Sequence, residues 1–259
     1  MSGPSVVALG DSITLGVGDG VREDWGHVGW AAHAAAALGA RAFANLAANG
    51  TRARDLAAQV ADAVALDPDV ALLTVGGNDA LRGDFDPGEV ERCTRAALVE
   101  LTRGDRAVVL ATIDRIGLFD LLPERVASAM ARRAEAVNAA LRRASAGMPV
   151  TIVDGSVIFA ADGAHAWHID RIHPSQRGHR ALARAAVEAL GPAWPQVAPL
   201  SPPAREPSLA ARAWWLTRHG VPWAARRSRD LLPQVLHTVR AEMRATTASA
   251  ADTTTAGRP

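Results

Sequence analysis

Four short blocks of the chain hold the side chains best suited to chemistry. They are Gly10-Asp11-Ser12-Ile13-Thr14, Asn49-Gly50-Thr51, Gly76-Gly77-Asn78-Asp79 and Asp170-Arg171-Ile172-His173-Pro174. A hydroxyl, an imidazole and a carboxylate are the parts of a nucleophile, its base and an orienter for that base. Imidazole, with an ordinary pKa of about 6.5, can take the Ser12 proton near neutral pH and return it to a leaving group. Asp170 precedes His173 by three residues in a turn-like segment, so its carboxylate can reach the other ring nitrogen and fix the tautomer. The Asn78 amide and the backbone N–H groups of Gly50 and Ser12 would give three neutral donors to a developing oxyanion. Each residue also has an ordinary structural reading. Ser12 could be a helix N-cap, Gly50 a left-handed turn, Asn78 a turn asparagine, and His173 a loop residue ahead of a helix capped by Ser175.

What positions these blocks is a strict alternation of short apolar runs and longer helical patterns up to about Leu190. Strands are predicted at Ser5–Leu9, Arg41–Leu46, Val70–Val75, Ala107–Thr112 and Val150–Val153. They are nearly uninterrupted in hydrophobicity, as suits strands buried on both faces of a parallel sheet. Helices are predicted at Gly29–Leu38, Arg52–Leu66, Pro87–Leu101, Pro123–Ala146 and Ser175–Leu190. This order predicts an open α/β sheet with helices on both faces, whose ligands bind outside the carboxyl ends of the strands. The first three blocks follow predicted strands, and the fourth closes the α/β region.

In that order and at those places the blocks resemble the Ser, Gly, Asn and His blocks of the SGNH (GDSL-type) hydrolase family, over about the first 190 residues. The resemblance implies a flavodoxin-like three-layer α/β/α fold with a five-stranded parallel sheet. It implies ester cleavage through an acyl-enzyme, with Ser12, Asp170 and His173 as the triad and Ser12, Gly50 and Asn78 as the oxyanion hole. Gly10, Asp11, Gly76 and Asp79 complete the motifs. No cofactor and no metal are implied, and the partner is a small-molecule ester. An acyltransferase or a carbohydrate O-acetylesterase would use the same machinery. The acyl and alcohol preferences would lie in the loops Gly16–Trp25, Gly83–Gly88 and Arg115–Leu122. Arg82, Arg115 and Arg171 are either holders of an anionic substrate group or solvated, salt-bridged side chains.

Other chemistries fail on details. All 28 basic residues are arginine, which excludes a lysine Schiff base, a Ser–Lys dyad and a P-loop. The single cysteine, Cys93, excludes an internal disulfide and a multi-cysteine zinc site. Thr14 stands where a G-x-S-x-G elbow needs glycine, and Val21 where a dinucleotide fingerprint needs its third. His165, His168, Asp170 and His173 can be drawn as a metal cluster, but that would use the Asp and His the triad explains. Trp25 and Trp167 read as pocket wall or core. There is no targeting signal and no membrane-length apolar run, so the expectation is a soluble, cytoplasmic protein.

The composition changes after Gly191. The expected organisation is a catalytic unit at 1–192, a proline-rich linker at 193–207, a helical extension at 208–245 and a disordered tail at 246–259. The extension resembles the tails of actinobacterial GDSL-type proteins. Residues 1–192 carry 19 arginines against 23 acids, whereas 205–244 carry eight against three. Opposite signs favour docking of the extension on the body. Trp214, Trp215 and Trp223 with Arg226, Arg227 and Arg229 also suit a peripheral contact with an anionic membrane, a dimer contact or a pocket cover. A nucleic-acid-binding role for the basic helices belongs to a different function class. The acidic body and the lack of a complete motif argue against it, and no nucleic-acid partner is expected.

Overall fold

Five parallel strands, β1 (Ser5–Gly10), β4 (Ala42–Asn45), β5 (Val70–Thr74), β6 (Ala107–Ala111) and β7 (Val150–Val153), form one sheet in the order β4-β1-β5-β6-β7. The computed structural model describes residues 3–22, 26–121, 123–203 and 208–220. The chain leaves β1 to one side for β4 and returns on the other side as β5. The strand order therefore reverses around β1, which opens a crevice at the carboxyl ends of β4, β1 and β5.

Alternation along β1 feeds two cores. Val7 and Leu9 join Leu73 and Leu110 beneath α3 (Leu56–Ala65), α5 (Pro87–Leu101) and α6 (Glu124–Ser145). Val6 and Ala8 join Leu72 and Val109 beneath α2 (Gly29–Ala37) and α8 (Gln176–Leu190). Burial on both faces holds for β1, β5 and most of β6. It fails at the edges: Ala42 and Phe43 of β4 are exposed, and Val150, Thr151 and Ile152 of β7 are half-buried. An edge strand has a sheet neighbour on one side only, and the layers above and below thin out there.

The helix starts follow their caps. Asp86 accepts from the Gly88 N–H with Pro87 at the first helical position of α5, and Ser175 accepts from Gly178 at the start of α8. The helix expected over Arg52–Leu66 is split. Arg52 is extended, Ala53–Asp55 form a 3₁₀ turn, and α3 begins at Leu56. A short helix, α1 (Ser12–Leu15), does begin where Ser12 could have capped one, and the two-residue hairpin β2 (Val21–Arg22) and β3 (Gly26–His27), α4 (Gly77–Ala80) and α7 (Gly155–Asp162) lie outside the predicted elements.

The start of the proline-rich stretch lies on the body. The Val197 and Ala198 N–H groups donate to the Ala37 carbonyl at 2.8 and 3.1 Å. Arg180 donates to the Ser201 carbonyl, while Trp194 and Leu200 pack on the α2–α8 core. Helix α9 (Leu209–Trp215) and a π-helical turn (Leu216–Gly220) are the described part of the extension, and there Trp214 is 63% exposed. Trp223, Arg226, Arg227, Arg229 and the tail at 246–259 lie outside the described residues. Among the described residues no helix is long and apolar enough to cross a membrane.

Candidate active site

Ser12 stands at the carboxyl end of β1, where the strand turns directly into α1. A Cβ on Gly10 would lie 1.9 Å from the Thr74 carbonyl oxygen, so only glycine lets β1 run this close to β5. The cap of α1 is Asp11, not Ser12: the Asp11 Oδ1 accepts from the Ile13 N–H at 2.9 Å. Ser12 is thereby freed from the capping role and becomes the first residue of the turn. Asp11 is buried, and burial pushes its carboxyl up to about 7 despite that hydrogen bond and the nearby His173.

The Ser12 Oγ lies 3.1 Å from the His173 Nε2, and the His173 Nδ1 lies 2.8 Å from the Asp170 Oδ2. A carboxylate can only accept here, so Nδ1 carries the proton and the Nε2 lone pair faces the serine hydroxyl. The Asp170 Oδ1 accepts from the Ile172 and His173 N–H groups at 2.9 and 3.1 Å, which fixes the turn that carries the imidazole. Arg171 takes a left-handed conformation, φ 57°, to close that turn. The His168 Nδ1 stands 3.4 Å from the same Oδ2. Burial alone would raise the Asp170 carboxyl. The His168 and His173 rings and the Ile172 amide outweigh it and hold the group well below the usual carboxylate range.

Gly50 and Asn78 reach the same cleft from the ends of β4 and β5. Gly50 sits at φ 87°, with open space where a side chain would begin, so backbone conformation rather than crowding requires glycine. Gly76 precedes α4 as its cap, and Asn78 is on that helix. The Asn78 Nδ2 donates to the Thr51 carbonyl at 3.1 Å, which orients the amide and leaves its second N–H unspent. Asp79 is buried, accepts from the Ala53 N–H at 3.1 Å and from Arg52 Nε at 3.3 Å, and is raised by burial.

Several supporting residues carried no sequence signal. Gln59 of α3 accepts from the Gly10 N–H at 2.7 Å and donates to the Gly10 carbonyl and the Thr51 hydroxyl, both at 3.1 Å. One amide thus sets the Ser12 strand end against the Gly50 loop. Arg52, which directly follows that block, holds Asp79 and Asp84. Behind the His173 turn, Asp19 accepts from Gly29 N–H, His33 and Arg180 at 2.9, 2.7 and 2.8 Å.

His179 is fully buried beside this group. Its Nδ1 accepts from the Trp30 N–H at 3.2 Å and its Nε2 donates to the Val17 carbonyl at 3.0 Å. That pair of partners demands the neutral ring, and burial pushes its pKa down from 6.5 to about 4. Between those values the unfolded chain binds a proton that the folded chain refuses, so this group's contribution to stability is lost as pH falls. His179→Gln therefore destabilises the protein at pH 7. Its cost relative to wild type should shrink by about 2–4 kcal/mol between pH 7 and 4. Chemical denaturation of both proteins at those pH values measures this; a cost independent of pH overturns the assignment.

The cleft around Ser12, Gly50, Asn78 and His173 encloses about 130 Å³. Its walls are apolar, with Leu81, Ile113, Ile116, Phe119, Phe159 and Trp167 among them. Trp167 packs on Phe159 with ring centroids 5.3 Å apart. Arg82 lines the cleft as well, while Arg115 is paired with Asp120 at 2.5 Å. Trp25 lies outside the described residues. Among the described residues no three His, Cys, Asp or Glu side chains gather so as to hold a metal ion, the set His165, His168, Asp170 and His173 included.

A serine at a β-strand end in a doubly wound α/β sheet, with histidine and a half-buried aspartate behind it, defines a hydrolase-type site. The model of the GDSL-like lipase/acylhydrolase family matches residues 8–181, and the chain belongs to that family of carboxylic ester hydrolases. Solved structures agree in fold. The acetylxylan esterase Axe2 of Geobacillus stearothermophilus is 25% identical with a TM-score of 0.59, over 76% of this chain and 98% of its own. A lipolytic G-D-S-L family protein of Veillonella parvula is 21% identical with a TM-score of 0.57, over 71% of this chain and 96% of its own. No curated protein sequence matches the chain at a significant level.

Proposed function

We infer that the chain hydrolyses esters of short carboxylic acids, with Ser12 as nucleophile, His173 as general base and acid, and Asp170 as the orienter of His173. The observation that carries this reading is the continuous path Ser12 Oγ–His173 Nε2–Asp170 Oδ2, at 3.1 and 2.8 Å, opening into a small apolar cleft. His173 removes the hydroxyl proton as Oγ attacks the ester carbonyl, and the imidazolium is stabilised by the Asp170 carboxylate. The negative charge moving onto the carbonyl oxygen meets the Ser12 and Gly50 N–H groups and the free N–H of Asn78. His173 then protonates the departing alcohol, and water repeats the sequence on the acyl-enzyme. The catalytic unit is residues 1–192; the extension supplies none of these groups.

Size argues for a short acyl group. The cleft at Ser12 is small, about 130 Å³, and its lining is mainly apolar, which suits a short acyl group. The acetylxylan esterase that shares the fold acts on an acetyl ester, in keeping with this. A series of p-nitrophenyl esters from acetate to decanoate, with and without chelator, tests the reading. The highest kcat/KM is expected at two to four carbons, unchanged by chelator. No turnover of any member, a maximum at long chains, or activity that a chelator removes and zinc restores would overturn it.

A further inference from the structure

Ser12 and His173 stand 161 positions apart in the chain, and a single hydrogen bond of 3.1 Å between them cannot fix their spacing. One loop touches both. The Val17 N–H donates to the Ser12 carbonyl at 3.0 Å. Its neighbour Gly18 takes φ 101°, and a Cβ there would lie 2.2 Å from the Pro174 carbonyl oxygen and 3.2 Å from the His173 Cβ. The loop backbone is thus packed against the turn that carries the imidazole, at a distance only glycine permits. Residues 16–22 of the loop expected to carry substrate preference do not line the cleft at Ser12.

We propose that Asp19 is a positioning residue that sets the Ser12–His173 spacing through this loop, and that Arg180, seated by the proline-rich segment, is a second. The proposal rests on the ester-hydrolase reading above and adds the residues that hold its machinery in place.

The first support is the set of elements that Asp19 joins. Its Oδ2 accepts from the Gly29 N–H at 2.9 Å and from the His33 Nε2 at 2.7 Å, and its Oδ1 accepts from the Arg180 Nη1 at 2.8 Å. Its carbonyl accepts from the Gln176 side chain at 3.0 Å. Gly29 and His33 belong to α2, and Gln176 and Arg180 to α8, whose cap Ser175 follows His173 by two residues. One residue therefore binds the exit from the Ser12 turn to the helix that starts behind His173.

The second support is charge. The Asp19 side chain is 1% exposed. Burial would raise its carboxyl, but the His33 and His179 rings and the Gly29 amide outweigh it and hold the group below the usual carboxylate range. An ionised carboxylate accepts at both oxygens, as three donors here require. An amide of the same shape would turn N–H groups toward one of those donors, and the loop would shift to relieve the unpaired contact.

The third support lies beyond α8. The Arg180 Nε donates to the Ser201 carbonyl at 2.6 Å, so the guanidinium is gripped from both sides. Ser201 is brought there by a segment itself fixed on the body, through Val197 and Ala198 on the Ala37 carbonyl and through Trp194 and Leu200 on the α2–α8 core. The segment brings no group to the chemistry, yet it restrains a residue on which the geometry depends.

Kinetics on p-nitrophenyl acetate with the full chain test this. Asp19→Asn should lower kcat by about 10–100-fold while KM changes less than about twofold, because reacting groups are misplaced and the cleft walls are not. In a His173→Ala background the same substitution should cost less than about twofold, since the group it positions is gone. Arg180→Met should lower kcat about tenfold. Arg180→Lys, which returns a cation to Asp19, should stay within about threefold of wild type. Melting curves establish that each variant is folded at the assay temperature; should Asp19→Asn not fold, the Arg180 pair decides. Wild-type kcat in folded Asp19→Asn or Arg180→Met overturns the proposal. So does a loss carried by KM, a loss that persists in full without His173, or a lysine variant as slow as the methionine one. Wild type that does not turn over the ester refutes the hydrolase reading itself, whereas wild-type turnover with unmoved kcat in the variants refutes only the positioning role.

Discussion

Ser12→Ala lowers kcat for p-nitrophenyl acetate by about 10⁴–10⁶, His173→Ala does nearly the same, and the double variant is no slower than the worse single one. The expectation follows from the shared proton. With Ser12 Oγ 3.1 Å from His173 Nε2, the hydroxyl is a weak nucleophile unless the imidazole accepts its proton, and the imidazole has nothing to accept once the hydroxyl is gone. Residual turnover in all three variants comes from the oxyanion donors and from binding, which none of them touches. Asp170→Asn is the sharper probe of the third member. It keeps the shape but gives the Nδ1–H a partner that can donate, and so allows the wrong tautomer, for a loss of about 10⁴. Kinetics on the purified variants, with melting temperatures as the folding check, decide the matter. Losses that multiply in the Ser12→Ala/His173→Ala double variant would mean that the two groups serve separate steps.

The parts of this arrangement that were legible in the sequence are those set by chemistry at a single position. The largely buried strands β1, β5 and β6 announce themselves because both faces are apolar, and the Ser175 and Asp86 caps because capping depends on residue type. The four blocks were readable because each lies where a strand ends or a turn closes. What was not legible depends on long-range geometry. Gln59 is one glutamine on an amphipathic helix until folding brings it to Gly10, 49 positions away. The Asp19–His33–Arg180 group and the His179 ring join three separate segments through side chains that look like ordinary surface residues in sequence. In sequence Asp11 belongs only to the motif around Ser12, whereas its capping of α1 is what releases Ser12 from that job.

Asn78→Ala lowers kcat by about 10²–10³ with KM little changed. The amide has two N–H groups, and the structure spends one of them on the Thr51 carbonyl at 3.1 Å. That contact makes the oxygen end of the amide face away from Thr51 and holds the nitrogen end toward the Gly50 loop. The remaining N–H is then fixed in the cleft before substrate arrives, which is what makes such a donor effective on a charge that develops only in the transition state. The ground-state carbonyl is a poorer acceptor than the oxyanion, so binding suffers less than turnover. The same contact also ties α4 to the 49–53 loop, and a purely structural role would appear as a lowered melting temperature with kcat/KM falling through KM. Asn78→Asp separates the two roles. It keeps the size but places a carboxylate beside both the Thr51 carbonyl and the oxyanion, so kcat should fall below that of the alanine variant. Should the aspartate variant match or exceed the alanine variant in kcat, Asn78 is a tether for the Gly50 loop and the oxyanion rests on the Ser12 and Gly50 backbone alone.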